Sequence, residues 1–217
     1  MTLTELDAAA RACGLRVRGA FHPEPGHALP KGCGTLILLG PDEPAFWPMF
    51  RTTPEIQDAE PHPLDRWSKR VIGALARNWG GQAIFPYDGP PYAPFLKWAV
   101  AGGCHPSPVG LLVHGEAGLF ISFRGAVAVP QVMDLPAPAP SPCPACTTKP
   151  CETACPVDAL RRGAPYDVPA CQAHLRGPEG ADCRQGGCLV RRACPISQRF
   201  GRHPAQSAFH MAAFVKD

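Results

Sequence analysis

No stretch of this 217-residue chain approaches the roughly 18 consecutive apolar residues that a membrane-spanning helix needs, so no such helix is expected. Charge of one sign is also scarce. Lys and Arg number 21 against 18 Asp and Glu, and a net charge of +3 is too slight to argue for nucleic acid or an anionic membrane surface. There is no Gly-x-Gly-x-x-Gly after a strand and no phosphate loop, which argues against a Rossmann dinucleotide unit. A secretory signal is missing too: Glu5 and Asp7 precede any apolar run, so Met1 to Leu15 reads as a helix. A cytoplasmic protein is the expectation.

Cysteine and proline, in contrast, are abundant. Eleven cysteines without an export signal speak against a disulfide scaffold. Eight of them crowd into residues 143–194. Cys143-x2-Cys146-x4-Cys151-x3-Cys155-Pro156 opens the array, Cys183-x4-Cys188-x5-Cys194-Pro195 closes it, and Cys171 lies between. Thiolates at such separations can wrap a metal–sulfide cube, and a Cys-Pro that ends a run sends its sulfur to a second cube in two-cluster ferredoxins. Eight ligands make two four-iron clusters with none left over. Structural zinc on paired thiolates is the competing reading, free thiols or disulfides a further one. A single cluster is also open, with Cys171 or Cys183 left out. One-electron transfer is the chemistry this array points to.

The 28 prolines are not spread evenly, and Pro136-Ala-Pro-Ala-Pro-Ser-Pro142 is a stiff connector directly before the first cluster cysteine. It divides the chain into a core domain, 1–135, and a cysteine domain, 136–217. In the core, Thr2-x-x-Glu5 forms a capping box for a helix ending at Gly14. Strands are expected from Leu15 to Phe21 and over Thr35–Leu39, and a short helix over Ala45–Phe50 despite Pro48. A firmer helix follows His62-Pro63, with Trp67, Val71, Leu75 and Trp79 on one face. Then come a strand at Gln82–Pro86, a helix at Pro94–Ala101, and two strands around a turn, Gly110–His114 and Leu119–Val129. This alternation predicts a mixed α/β sheet. Near the C-terminus, Gln206 to Met211 has helical spacing, and Phe209 and Phe214 are expected to dock the tail onto the core.

Three stretches resemble the epoxyqueuosine reductase family and its relatives, the reductive dehalogenases and the cobalamin-processing chaperone of the methylmalonic aciduria type C group. They are Ala12-Cys-Gly-Leu-Arg-Val-Arg-Gly-Ala20, then Phe85-Pro-Tyr-Asp-Gly-Pro-Pro91 to Gly102-Gly103, and Gly110-Leu-Leu-Val-His-Gly-Glu-Ala-Gly-Leu-Phe-Ile-Ser-Phe-Arg-Gly125. The resemblance implies an α+β fold, a nitroreductase-like core that binds a corrinoid (cobalamin) followed by a ferredoxin-like domain with two [4Fe–4S] clusters. It implies that Cys143, Cys146, Cys151 and Cys194 hold one cluster and Cys155, Cys171, Cys183 and Cys188 the other. The second run departs from the tighter Cys-x2-Cys-x3-Cys-Pro of those reductases, with Gly186-Gly187 inserted, which turns the expectation away from epoxyqueuosine itself.

The same resemblance marks residues in the core. Asp88 matches the family's proton donor, and a desolvated carboxyl in a Pro-rich pocket would hold a proton near neutrality; ordinary Asp-Gly turn chemistry is the alternative. Arg124 is a candidate for an anionic group of the cofactor, or for an internal ion pair with Glu116 or Asp65. His114 matches the family's Leu-His-Pro histidine or simply ends a strand. His62, Tyr92 and Trp98 line the cofactor cavity or belong to the core. Arg161, Arg162, Arg191 and Arg192 lie near the ligands, where positive charge would raise a reduction potential and attract an acidic redox partner, or form an ordinary basic face. Cys13, Cys33 and Cys104 are isolated, and Cys104-His105 sits in a Gly-rich loop that could approach a cofactor. Two functions follow: electron delivery from the clusters to a cofactor or substrate in the core, or a ferredoxin-type carrier whose core is a docking module. A flavin on the same scaffold would need a phosphate-binding cluster that the sequence does not display.

Overall fold

A computed structural model describes residues 1–215. It is a mixed α+β protein that divides into two compact units, one of residues 1–103 and 122–139, the other of residues 104–121 and 140–217. In the first unit, helix α1 (Leu3–Arg11) starts at Thr2, whose hydroxyl accepts from the Glu5 N–H while the Glu5 carboxylate accepts from the Thr2 N–H at 2.7 Å. Strands β1 (Leu15–Phe21) and β2 (Thr35–Pro41) follow. Next come α2 (Phe46–Phe50), α3 (Pro54–Gln57) and α4 (Pro63–Asn78), then β3 (Gln82–Ile84) and α5 (Phe95–Ala101). The chain leaves this unit for a two-stranded ribbon, β4 (His105–Pro106) and β5 (Leu112–Val113), and returns as β6 (Gly125–Val129).

The four-stranded sheet runs β1-β2-β6-β3. All its pairs are antiparallel, so the mixed sheet expected from the alternation of elements is not what forms. The reason is β6, which inserts between β2 and β3 and runs opposite to both. Every residue of β2 is buried because both faces of the sheet are covered. Leu36 and Leu38 pack with Phe21, Phe95 and Trp98 on one face. On the other, Gly125 lies under Ile72 of α4 so closely that a Cβ there would come within 2.9 Å of the Ile72 Cδ1. Phe46, Phe50 and Trp67 stack with centroids 5.3–5.8 Å apart and anchor α2 to α4.

The second unit carries helices α6 (Val168–Arg176), α7 (Ala181–Gly186), α8 (Leu189–Ala193), α9 (Pro195–Arg199) and α10 (Pro204–Val215). The proline connector has no regular secondary structure, and the chain enters the unit within it, at residue 140. Segment 104–121 belongs to this unit as well. Later residues hold it there. The Leu119 N–H donates to Ser197 Oγ at 2.8 Å, Arg191 donates to the Leu119 carbonyl, and Arg202 to that of Phe120 at 2.9 Å. Gly118 has φ +57°, and a Cβ on it would sit 2.5 Å from the Ser197 N and Oγ, so only glycine fits. Of the long strand expected at Leu119–Val129, only Gly125–Val129 pairs. The tail helix α10 packs on α7 and α6, with Phe214 stacked on Tyr166 at 6.3 Å, so it docks within the cysteine unit. Among the described residues no helix is long and apolar enough to cross a membrane.

Candidate metal centres

Turns and helix ends aim the eight thiols. Cys143 follows Ser141, whose Oγ accepts from the Cys143 N–H at 3.4 Å. The Cys146 N–H donates back to the Cys143 carbonyl at 3.2 Å. Cys151 sits in a 3-10 turn, Pro150–Glu152, entered through Lys149 at φ 41°. Cys194 ends α8 and is the N-cap of α9. These four cysteines line one cavity of about 410 Å³, whose other walls include Val113, Leu119, Pro142 and Ile196.

Cys155, Cys171, Cys183 and Cys188 line a second cavity, of about 20 Å³, together with Leu160, Leu175 and Val190. Here the stretched spacing of the second run finds its explanation. Cys183 lies in α7, and Gly187 caps that helix at φ 89°, its N–H donating to the Cys183 carbonyl at 3.0 Å. The left-handed turn sends Cys188 to the start of α8, one helix before Cys194. Leu160 and the fully buried Val190 line the second cavity and also belong to the apolar cluster that contains Cys151 and Cys194. Short α8 thus joins the two quartets through an apolar wall.

Burial raises the thiols of Cys143, Cys151, Cys171 and Cys183 above their ordinary range. Neighbouring cysteines add to this within each quartet: Cys194 and Cys146 act on Cys143, and Cys188 and Cys155 on Cys171. The Ser141 hydroxyl acts on Cys143 and the Tyr166 hydroxyl on Cys171 in the opposite direction. The electrostatic coupling therefore runs within the same two quartets that line the cavities.

Among the described residues no group of three or more His, Cys, Asp or Glu side chains converges closely enough to hold a single metal ion. A tetrahedral zinc with bonds of about 2.3 Å needs its sulfurs about 3.8 Å apart. A four-iron cube takes one thiolate at each iron, so its ligands stand farther apart around a cavity. Four thiols lining one cavity fit that donor set. The first cavity offers a further sign in Ser107, on its wall, whose buried Oγ finds no hydrogen-bond partner among the described residues. The second quartet fits by its donors, in a space that admits little more than one water.

The core candidates stand in different surroundings. Asp88 is half exposed and paired with Lys69 Nζ at 2.7 Å. Tyr92 is 64% exposed, and His62 is an exposed N-cap residue. Trp98 is core, its Nε1–H donating to the His27 carbonyl at 2.7 Å. Arg124 takes the internal alternative, with its guanidinium 3.7 Å from Asp65 and donating to the Phe123 carbonyl at 3.1 Å. Burial holds its pKa below the usual arginine value against the pull of Asp65. Tyr87 fills the same corner, its hydroxyl donating to the Asp65 carbonyl at 2.8 Å. His114, in the cysteine unit, organises its own turn: Nδ1 accepts from the Glu116 and Ala117 N–H groups at 3.1 and 3.2 Å.

Cys104 is buried and its thiol is pushed up to about 12, the state of an inert packing residue. Of the four arginines, Arg162 pairs with Glu152 and Arg192 with Asp182, both at 2.6 Å, while Arg161 is exposed. Arg191 stands apart, because burial is the leading influence on its guanidinium and Cys188 and Tyr166 are the groups that favour its charge. The roles of Tyr166, Ser107 and Ser197 have no signal in the cysteine spacing; only the fold assembles them. Compared with protein-family models, curated proteins and solved structures, the chain matches none.

Proposed function

We propose that this chain is an iron–sulfur electron-transfer protein whose second unit holds two [4Fe–4S] clusters. The observation that carries the reading is the division of eight thiols into two quartets, each lining one cavity and each coupled within itself. A bound [4Fe–4S] cluster supplies reversible one-electron oxidation and reduction. The chain's part is to present thiolates, to keep water from the inner walls with Val113, Leu119, Leu160 and Val190, and to hold the two sites on one short helix. Because burial raises several of the thiols, loading must displace their protons, and metal retention weakens as pH falls.

The destination of the electrons follows from the first unit. With Arg124 tied to Asp65, Asp88 to Lys69 and Tyr92 facing outward, the residues expected to meet a corrinoid are engaged elsewhere or scattered. This favours a ferredoxin-type carrier whose nitroreductase-like first unit serves as a docking module. Delivery to a corrinoid in that unit is the alternative, and hydroxocobalamin decides between them. Titration of the anaerobically purified protein is expected to leave the corrinoid absorption bands unmoved. A saturable band shift that Arg124→Ala abolishes would restore the corrinoid reading.

A further inference from the structure

One hydroxyl on the wall of the first cavity is left over by the fold. Ser107 follows β4 and opens the hairpin loop Pro108-Val109-Gly110, a turn that suits proline at its second position and glycine at φ +78°. The backbone of Ser107 closes this loop. Its N–H donates to the Leu111 carbonyl at 2.8 Å, and its carbonyl accepts from the Gly110 N–H at 3.0 Å. Val109 and Val113 are buried in the apolar cluster that contains Cys151 and Cys194, so the hairpin is seated beside the first quartet. With both backbone groups engaged, the hydroxyl remains. Ser107 is 8% exposed, and its Oγ, shut off from solvent, has no hydrogen-bond partner among the described residues. Ser197, also buried in this unit, differs: its Oγ accepts from the Leu119 N–H at 2.8 Å. A buried hydroxyl without a partner disfavours the folded chain until an acceptor is supplied. The wall that Ser107 shares with Cys143, Cys146, Cys151 and Cys194 makes sulfur the acceptor within reach of that cavity.

We propose that Ser107 is a hydrogen-bond donor to the first centre, its O–H directed at a sulfur atom, sulfide or thiolate, of the cluster held there. A serine has one χ angle, which carries the Oγ between staggered positions, so donor and acceptor can meet with no movement of the backbone. A donor beside anionic sulfur favours the reduced, more negative state, and the hydrogen bond raises that centre's reduction potential. Among the described residues none from this hairpin loop lines the second cavity, so the effect is confined to the first. The assignment rests on the reading of the first quartet as a cluster site, and the test separates the two claims.

The experiment is an EPR-monitored redox titration of the reconstituted protein and of Ser107→Ala, Ser107→Thr and Ser107→Val, with iron and sulfide counted in each sample. Cys151→Ser identifies which signal and which midpoint belong to the first quartet. Ser107→Ala is expected to lower that midpoint by about fivefold in the reduction equilibrium, about 40 mV at 59 mV per tenfold for one electron. Ser107→Thr, which keeps the hydroxyl, stays near the parent, its isostere Ser107→Val follows Ser107→Ala, and the other midpoint does not move. Thermal unfolding of the metal-free proteins supplies a second readout: Ser107→Ala matches or exceeds the parent, because it removes a buried hydroxyl that lacks a partner. Two clusters with an unmoved first midpoint, or a metal-free Ser107→Ala clearly less stable than the parent, overturn the assignment alone. A Cys151→Ser protein that loses neither iron nor a signal shows no cluster on the first quartet and overturns the underlying reading as well.

Discussion

The two cysteine quartets share one helix and one apolar wall, yet they are built differently. The first lines a cavity of about 410 Å³ formed by a loop, a 3-10 turn and the segment around Val113 and Leu119. The second is closed down to about 20 Å³ between α6, α7 and α8. The first therefore has room and an orphaned hydroxyl. The second has tight walls. Space is thus distributed unequally between the two quartets.

Removing a ligand breaks the comparison most severely. Cys151→Ser and Cys188→Ser are each expected to lower bound iron by about half, four of about eight atoms, and each to erase a different EPR signal. If either substitution removes all the iron, the quartets do not assemble separately. Next in size is the shared wall. Leu160 is 3% exposed, and Leu160→Ala should cost about 2–4 kcal/mol in denaturant unfolding of the metal-free protein. A loss under about 1 kcal/mol would mean that the wall is not packed.

A smaller effect comes from pH. Burial raises Cys143, Cys151, Cys171 and Cys183 in the folded chain, so their protonated state is favoured on folding. That stability is fully present below the unfolded thiol value of about 8.5 and is lost as pH rises through the higher folded values. The melting temperature of the metal-free protein is expected to fall as pH rises above about 8.5, and alanine at Cys143 and Cys171 should flatten the slope. A melting temperature that rises over that range would contradict the burial of the thiols. The smallest effect lies in the other unit. Thr2→Ala removes the capping box and should cost about 1 kcal/mol with cluster content unchanged.

Local signals in the sequence carried far into the fold. The capping box at Thr2 and Glu5, the apolar stripe of α4 and the runs at Leu15 and Thr35 depend on neighbours within a turn or two, and all form. Even Pro48 is harmless, since it stands in the first turn of α2, where its N–H is not needed. What could not be read depends on distant partners. The segment 104–121 belongs to the cysteine unit because of Ser197, Arg191 and Arg202, about 70–80 residues later in the chain, and no local pattern announces that. Alternation over Leu119–Val129 suggested one strand, yet residues 119 and 120 remain outside it because their amides and carbonyls are engaged by Ala117, Arg191, Ser197 and Arg202. The cysteine spacing singled out the eight thiols. It could not reveal that Gly187 makes the stretched run workable, or that Arg191 donates to the Leu119 carbonyl.

Iron and acid-labile sulfide, counted after anaerobic reconstitution and paired with a Mössbauer spectrum, test the central claim most directly. About eight of each per chain, as four-iron clusters, is the predicted result. Two zinc ions with no sulfide, or a protein that takes up neither metal, would contradict it.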